Sequence, residues 1–490
     1  MTLTTTLAEW ASKLTYDDIP ADTVAATRSQ LISNLAAVRA SLDHPTGRRI
    51  AQAFGPPTQP DPTRAAYVLA ALATMLDFDE VSYAGHPSAG AVNVAIAEAA
   101  ATGMDGKALL TTITAATECA SRVTAATILS PFFRGQTNTH THLTSAAAAR
   151  LHARSAPLPQ WTAGLGLALG TLAVPLHHGV VTSDVKAFSA ASPIRMALDA
   201  CDAAAHGLTG PDTILEHPEG LLAHLSAVPV PETVTAGLGT RWHTDTLTYK
   251  RFPGSAYLHA AIDCAERLHS TLGPLTPDQV AAIVVDANLL TWQMQRKVTP
   301  ALAGPATTVS AATLSVGYGV ATMLMTGTFG PQDLHPASLQ HTPRWTLADK
   351  VTVEHDWDFS VRMAQATSPL GEALRQAGDR VLDWPDLLTW GGDNVKALLA
   401  SLGAPSHDFT NATMAIGARV TLELADGTVH TESADAAIGQ AGPTTRATHP
   451  HLVRQKFLSQ GGSPDVLARL ETIDQVPARD LPTLLAAALA

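Results

Sequence analysis

Side chains able to move protons collect in four stretches of this 490-residue chain. The first is LDFDEVSYAGHPSAGA (76–91), with Asp77, Asp79 and His86 around a glycine turn. A carboxylate can orient an imidazole and raise its basicity, which suits a general base or acid. The same residue types also cap helices, so the competing reading is structural. In SDVKAFSAASPIRMA (183–197), Lys186 precedes an apolar helix. A lysine among apolar neighbours can clamp a substrate carboxylate or serve as a base, whereas a snorkelling lysine does neither. The third stretch, TYKRFPGSAYLHAAIDCAERL (248–268), crowds Lys250, Arg251, Tyr257 and His259 around a proline–glycine turn that feeds a helix. A helix start with donors around it favours an anion. The fourth, RGQTNTHTHLTSAAAARL (134–151), sets His140 and His142 two apart. On a strand both would face one way as metal ligands; on a helix they diverge, and the residues after them read as helix.

These groups need elements to hold them. Hydrophobic residues make up 46% of the chain but aromatics only 5%, so alanine and leucine carry much of the apolar inventory and favour helix packed on helix. Leu3, Leu7, Trp10 and Leu14 recur at helical spacing. Further helices are expected at 23–41, 64–75, 91–102, 107–124, 144–153 and 162–174, with no convincing strand before residue 272. Then the texture changes. QVAAIVVDAN (279–288) is β-branched, KVTVEHDWD (350–358) alternates, and RVTLELADGTVH (419–430) reads as a hairpin turning at Asp426-Gly427. One helical pattern, 307–326, interrupts the strands, and helices resume at 449–459, 464–470 and 481–489. The expected fold is mainly α: a large all-helical domain (1–272 plus 441–490) with an inserted α+β lid domain (273–440).

Composition excludes several function classes. Thirty-one Lys and Arg against 43 Asp and Glu give a net charge of −12 with no basic run, which argues against nucleic acid or an anionic membrane as partner. Three scattered cysteines without a CxxC fit a reducing cytosol. The start lacks a basic and then apolar leader, and no stretch is apolar enough to span a bilayer, so a cytoplasmic protein is expected. No GxxxxGK[ST], strand-linked GxGxxG or GxSxG motif is present, which removes support for nucleotide chemistry or a nucleophile elbow.

Taken in order, LDFDE…GHPS (76–88), ALLTTITAATECASRV (108–123), DVKAF (184–188), KRFPGSAYLHAAID (250–263), SVGYGVATMLMTG (315–327), LADKVTVEHD (347–356), ARVTLELADGTVHT (418–431) and GPTTRATHPHLVRQKF (442–457) resemble the MmgE/PrpD family. That family includes 2-methylcitrate dehydratase, cis-aconitate decarboxylase and iminodisuccinate epimerase. The resemblance implies a homodimer, a small-molecule carboxylate as substrate, and no obligatory cofactor or metal. It carries catalytic roles onto Asp77, His86 and Lys186, with Lys250, His259 and Tyr318 as neighbours in matching motifs, and Tyr318 or His259 is expected to assist the leaving group. Substrate contacts are expected from Lys250, Arg251, Ser255, Tyr257, Thr137, His140, His142 and Ser82, with His86 set by Asp77. This sequence departs from the family at Gln136-Thr137, where a histidine is usual, at Val81, and at Ser255, where the decarboxylases carry a further histidine. The stretch from about Phe359 to Asn411 reads as an insertion. Dehydration of a hydroxy-carboxylate is the first expectation. Decarboxylation or epimerisation, cyclisation or isomerisation of a larger metabolite, and a silent binding paralogue are the alternatives.

Overall fold

The computed structural model of the chain describes residues 1–129 and 138–490. Its first half is helix upon helix: α1 (Leu3–Lys13), α2 (Ala21–Asp43), α3 (Pro45–Phe54), α4 (Pro62–Met75), α5 (Ser88–Thr102), α6 (Gly106–Thr127), α7 (Thr139–Ala153), α8 (Leu158–Gly170), α9 (His177–Thr182) and α10 (Val185–Ala205). The starts follow capping chemistry. The Thr2 side chain accepts from Thr5 N, and Asp61 accepts from Thr63 N and Arg64 N ahead of Pro62.

Helices α6 and α7 lie against each other; α7 also packs on α5 and α10, and α10 on α4 and α8. Ala146 to Ala149 are wholly buried there, because small side chains let neighbouring helices approach from every side. Buried polar side chains pair across these contacts. Asn34 Nδ2 donates to Asn93 Oδ1 at 2.8 Å, and Gln30 Nε2 to the Ser88 and Thr117 hydroxyls at 3.0 Å. The C-terminal helices return to this body: Pro443–Ser459 packs on α2, and Leu481–Leu489 on α5 and α2.

A mixed sheet has the order β2-β1-β3-β4. Strand β1 (Val280–Ala287) runs parallel to β2 (Val351–His355) and antiparallel to β3 (Ala418–Leu424), which pairs with β4 (Val429–Ala434). The β3–β4 turn falls at Asp426-Gly427: Gly427 adopts φ 85°, and Asp426 Oδ1 accepts from Thr428 N at 2.9 Å. Helix His259–Leu272 packs on β3 and β4 and on helix Val316–Thr326.

The departures from expectation have local causes. Helix α7 begins at Thr139 rather than Thr144, so His140 and His142 are helical and the strand-borne metal pair is lost. The 307–326 pattern breaks before Ser315, whose hydroxyl caps Tyr318 N at 3.2 Å and starts a new helix. Strand β2 stops at His355 because Asp356 caps helix Trp357–Gln365. Helices Gly371–Ala377, Pro385–Gly391 and Asn394–Ser401 fill the stretch read as an insertion. Among the described residues, no helix is long and apolar enough to cross a membrane.

Candidate active site

The loop between α4 and α5 carries Asp77, Asp79 and His86. Its left-handed positions are not glycines: Asp77, Tyr83 and Ala84 have φ of 53°, 50° and 60°. Asp tolerates the left-handed region better than most residues, and strain of this kind persists only where surroundings enforce it. The surroundings are on both sides. Gly254 N donates to Leu76 O at 2.9 Å, Thr248 pairs with Val81, and the Ser82 and Thr246 hydroxyls are 3.0 Å apart. From helix Pro443–Ser459, Lys456 Nζ donates to Phe78 O at 2.5 Å and to the Ser33 hydroxyl at 2.8 Å, while sitting 4.0 Å over the Phe78 ring.

Asp77 is 2% exposed and lies between two ammonium groups. Its Oδ2 accepts from Lys186 Nζ at 2.9 Å and its Oδ1 from Lys250 Nζ at 2.5 Å; Lys250 also reaches Asp77 O at 2.8 Å. Burial alone would raise the Asp77 pKa, but Lys186 and Lys250, with His86 beyond them, hold it well below the usual carboxylate range. Lys186 comes from the first turn of α10, where Ser310 Oγ ties down the preceding Ser183 O at 2.8 Å. His86 is oriented by Asp79, not by Asp77. Its Nδ1 is 3.0 Å from both Asp79 oxygens, and its Nε2 is 3.8 Å from Asp77 Oδ1. Burial pushes Asp79 up, yet the charge and hydrogen bond of His86 leave it below its ordinary value. The sequence places Asp79 in the same cluster, but the orienting role is expected of Asp77. The signal that distinguishes it is the D-x-D spacing, which sends one carboxylate to the lysines and the other to the imidazole.

The remaining expected residues divide. The His142 ring lies 6.4 Å from that of His86; it is buried, and burial with His86 nearby pushes its pKa down to about 3. His140, on the same helix, turns away: its Nε2 is 2.8 Å from Thr127 Oγ1. Tyr257 is buried within electrostatic reach of Asp77, with its hydroxyl donated to Leu314 O at 2.9 Å. His259 braces the Gly254 turn, with Nε2 3.4 Å from Gly254 O and its ring against Phe252. Ser255, half-buried, bonds Thr313 O through its backbone N–H. Two residues are engaged elsewhere. Arg251 reaches Asp263 at 2.8 Å and Glu266 at 2.9 Å, and Tyr318 donates to Asp333 O at 2.6 Å beside Arg344. Thr137 and the Arg134-Gly135 pair lie outside the described residues.

Ligand atoms of Asp77, Asp79 and His86 lie within 4.8 Å of one another. An added cation would have to displace two ammonium groups from Asp77, so this donor set fits a metal poorly. It suits proton transfer beside a fixed pair of positive charges.

Comparison with protein-family models matches residues 5–233 to the MmgE/PrpD N-terminal domain and residues 252–383 to the MmgE/PrpD C-terminal domain. The chain belongs to the MmgE/PrpD family. No curated protein matches it. Membership in MmgE/PrpD supports an enzyme of lyase type. Asp77, Asp79, His86 and Lys186 fall inside the N-terminal match, Lys250 just ahead of the C-terminal one, and Lys456 beyond both.

Proposed function

We propose that this MmgE/PrpD protein is a cofactor-independent hydro-lyase that dehydrates a hydroxy-carboxylate by removing a proton next to a carboxylate or carbonyl. The observation that carries the reading is the orientation of His86. With Nδ1 held by Asp79, the neutral ring carries its proton there and presents Nε2 as the free base toward Asp77, Lys186 and Lys250. The imidazole is 23% exposed, so substrate can reach it, whereas the lysines behind it are buried. In the proposed step Nε2 takes the carbon-bound proton, and that electron pair moves into the adjacent carboxylate as an enolate. Lys186 and Lys250 stabilise the growing negative charge in a site largely closed to water. The enolate then collapses to a carbon–carbon double bond as the β-hydroxyl leaves, taking a proton from the His86 imidazolium to depart as water. Tyr318, engaged with Asp333, has no part in this scheme.

Epimerisation is the second reading, favoured by the His142 ring 6.4 Å from that of His86; held neutral by burial, it would act as an N–H donor and not as an imidazolium. One experiment separates these readings. Incubation of a hydroxy-acid panel in deuterated buffer, followed by NMR, should show alkene formation with loss of water in a hydro-lyase. Deuterium incorporation without loss of water is expected of an epimerase. His86→Ala should lower either rate by about 10²–10⁴-fold, the contribution of a general base. A near wild-type rate in that variant refutes the assignment, and no exchange on any acid in the wild type favours a silent binding paralogue.

A further inference from the structure

Tyr249 and Lys250 are consecutive, yet they serve different spaces. Lys250 points at Asp77, while Tyr249 lines a cavity of about 550 Å³ between α2, the 239–249 segment and helix Pro443–Ser459. One wall is flat and aromatic: the Tyr249 and His449 rings stack at 5.3 Å and 17°, with Trp242 and Leu247 also facing the space. A cavity of this size is ample for a ligand of amino-acid dimensions.

Three charged side chains line the same space, the exposed Asp22 and the half-buried Asp245 and Arg446, and none of them forms an ion pair among the described residues. The Asp245 carboxyl has one long hydrogen bond, from Thr23 Oγ1 at 3.4 Å. The Arg446 guanidinium donates from Nη1 to Ala412 O at 2.9 Å, and its Nη2 is buried with no partner. Burial, with Glu118 nearby, pushes the Asp245 carboxyl up to about 7. Groups left this under-satisfied are costly in a folded protein and commonly mark where a ligand belongs.

We propose that this cavity is a binding site, separate from the Asp77–His86 cluster, for a small zwitterion with a flat apolar body. Its ammonium would pair with Asp245 over the aromatic wall, and its carboxylate with the Arg446 guanidinium, whose enclosed Nη2 must turn toward the cavity to meet it. Because Lys250 directly follows Tyr249 in the chain, an occupant is placed to bias the position of an active-site ammonium. The site does not depend on the dehydration reading.

The test uses the full chain, titration calorimetry and saturation-transfer NMR, with para-(aminomethyl)benzoate, benzylamine and benzoate as probes. The zwitterion should bind saturably and at least about tenfold tighter than either single ion, the gain expected from one more charge-assisted hydrogen bond. Asp245→Asn should weaken the zwitterion and benzylamine, Arg446→Met the zwitterion and benzoate, and His86→Ala neither. Equal affinities for the three probes, no saturable binding, affinity that survives both cavity substitutions, or affinity lost with His86→Ala would each overturn the proposal. The ranking of probes is read on the wild type alone, so it decides the matter even where a variant fails to fold.

Discussion

Replacing Asp77 by Asn tests whether the two lysines are gathered by charge. The substitution keeps the shape and one acceptor oxygen but removes the negative charge between Lys186 and Lys250, which are 8% and 1% exposed. Two ammonium groups, with Lys456 also acting on Lys250, would then share a buried space in which Asp79 is the neighbouring carboxylate. Removing one partner of a buried ion pair typically costs about 3–5 kcal/mol, because the remaining charge is left uncompensated. Asp77 has two such partners, so the loss should fall at or above the upper end of that range near neutral pH. The sign with pH follows from the depressed carboxyl. Its stabilisation is fully present above the unfolded value of about 3.9 and is lost as pH falls through the folded value. The gap between wild type and Asp77→Asn should therefore close in strong acid. Urea unfolding followed by far-UV circular dichroism measures both effects, and Asp77→Asn/Lys186→Met should recover part of the loss by removing one orphaned charge. A loss below about 1 kcal/mol at neutral pH is the size of a solvated surface pair and would refute the buried-cluster argument.

The same geometry sets three further outcomes. Asp79→Asn should leave the chain folded and reduce turnover by about 10²–10⁴-fold, since an amide no longer selects the His86 tautomer with Nε2 free; steady-state rates with the best acid of the panel check it, and a change under threefold counts against Asp79 as the orienting group. Tyr318→Phe should alter turnover by less than about threefold, because the hydroxyl it deletes serves Asp333 O and Arg344; a hundredfold loss would put that hydroxyl into the chemistry. Acid should destabilise the fold well above the carboxylate range. His140 and His449 are held down at about 4, and His142 and His259 at about 3, chiefly by burial. These groups bind protons in the unfolded chain near 6.5 but not in the folded one, so their contribution is lost as pH falls below 6.5, together about 5 kcal/mol between pH 7.5 and 5.5. Asp245 and Asp263, raised by burial to about 7 and about 6, act with the opposite sign and return about 3 kcal/mol over that window. Buried His243, also held down, adds to the loss, so a net loss of about 2 kcal/mol or more in urea unfolding at the two pH values is expected, and equal or greater stability at pH 5.5 contradicts the assignment of those imidazoles as buried and neutral.

Which features were legible in the sequence depends on the kind of order each one uses. The four strands announce themselves because one face of each is wetter than the other, and the Asp426-Gly427 turn has a local chemical signature. Helix α7 hides its first turn because almost every position is buried, so its apolar pattern has no phase to detect. Asp77, His86, Lys186 and Lys250 stand out as reactive types beside turns, and they do meet. Which neighbour faces the site is another matter. Arg251 follows Lys250 where the chain enters a bend, and the two side chains part, one to Asp77 and the other to Asp263 and Glu266. His140 and His142 sit about 200° apart on a helix, so one bonds to Thr127 and the other faces His86. Asp77 and Asp79 belong to a turn that opens with a left-handed residue, a conformation that aspartate tolerates but that its presence in the sequence does not locate. The groups that enforce that turn come from far along the chain: Lys250 is 173 residues from Asp77, and Lys456 is 378 residues from Phe78. Each contributes a bond to a backbone carbonyl of the turn as well as charge beside it. The strained conformation and the carboxylate positions therefore have one cause, and a change that frees either lysine should disturb His86 without touching it.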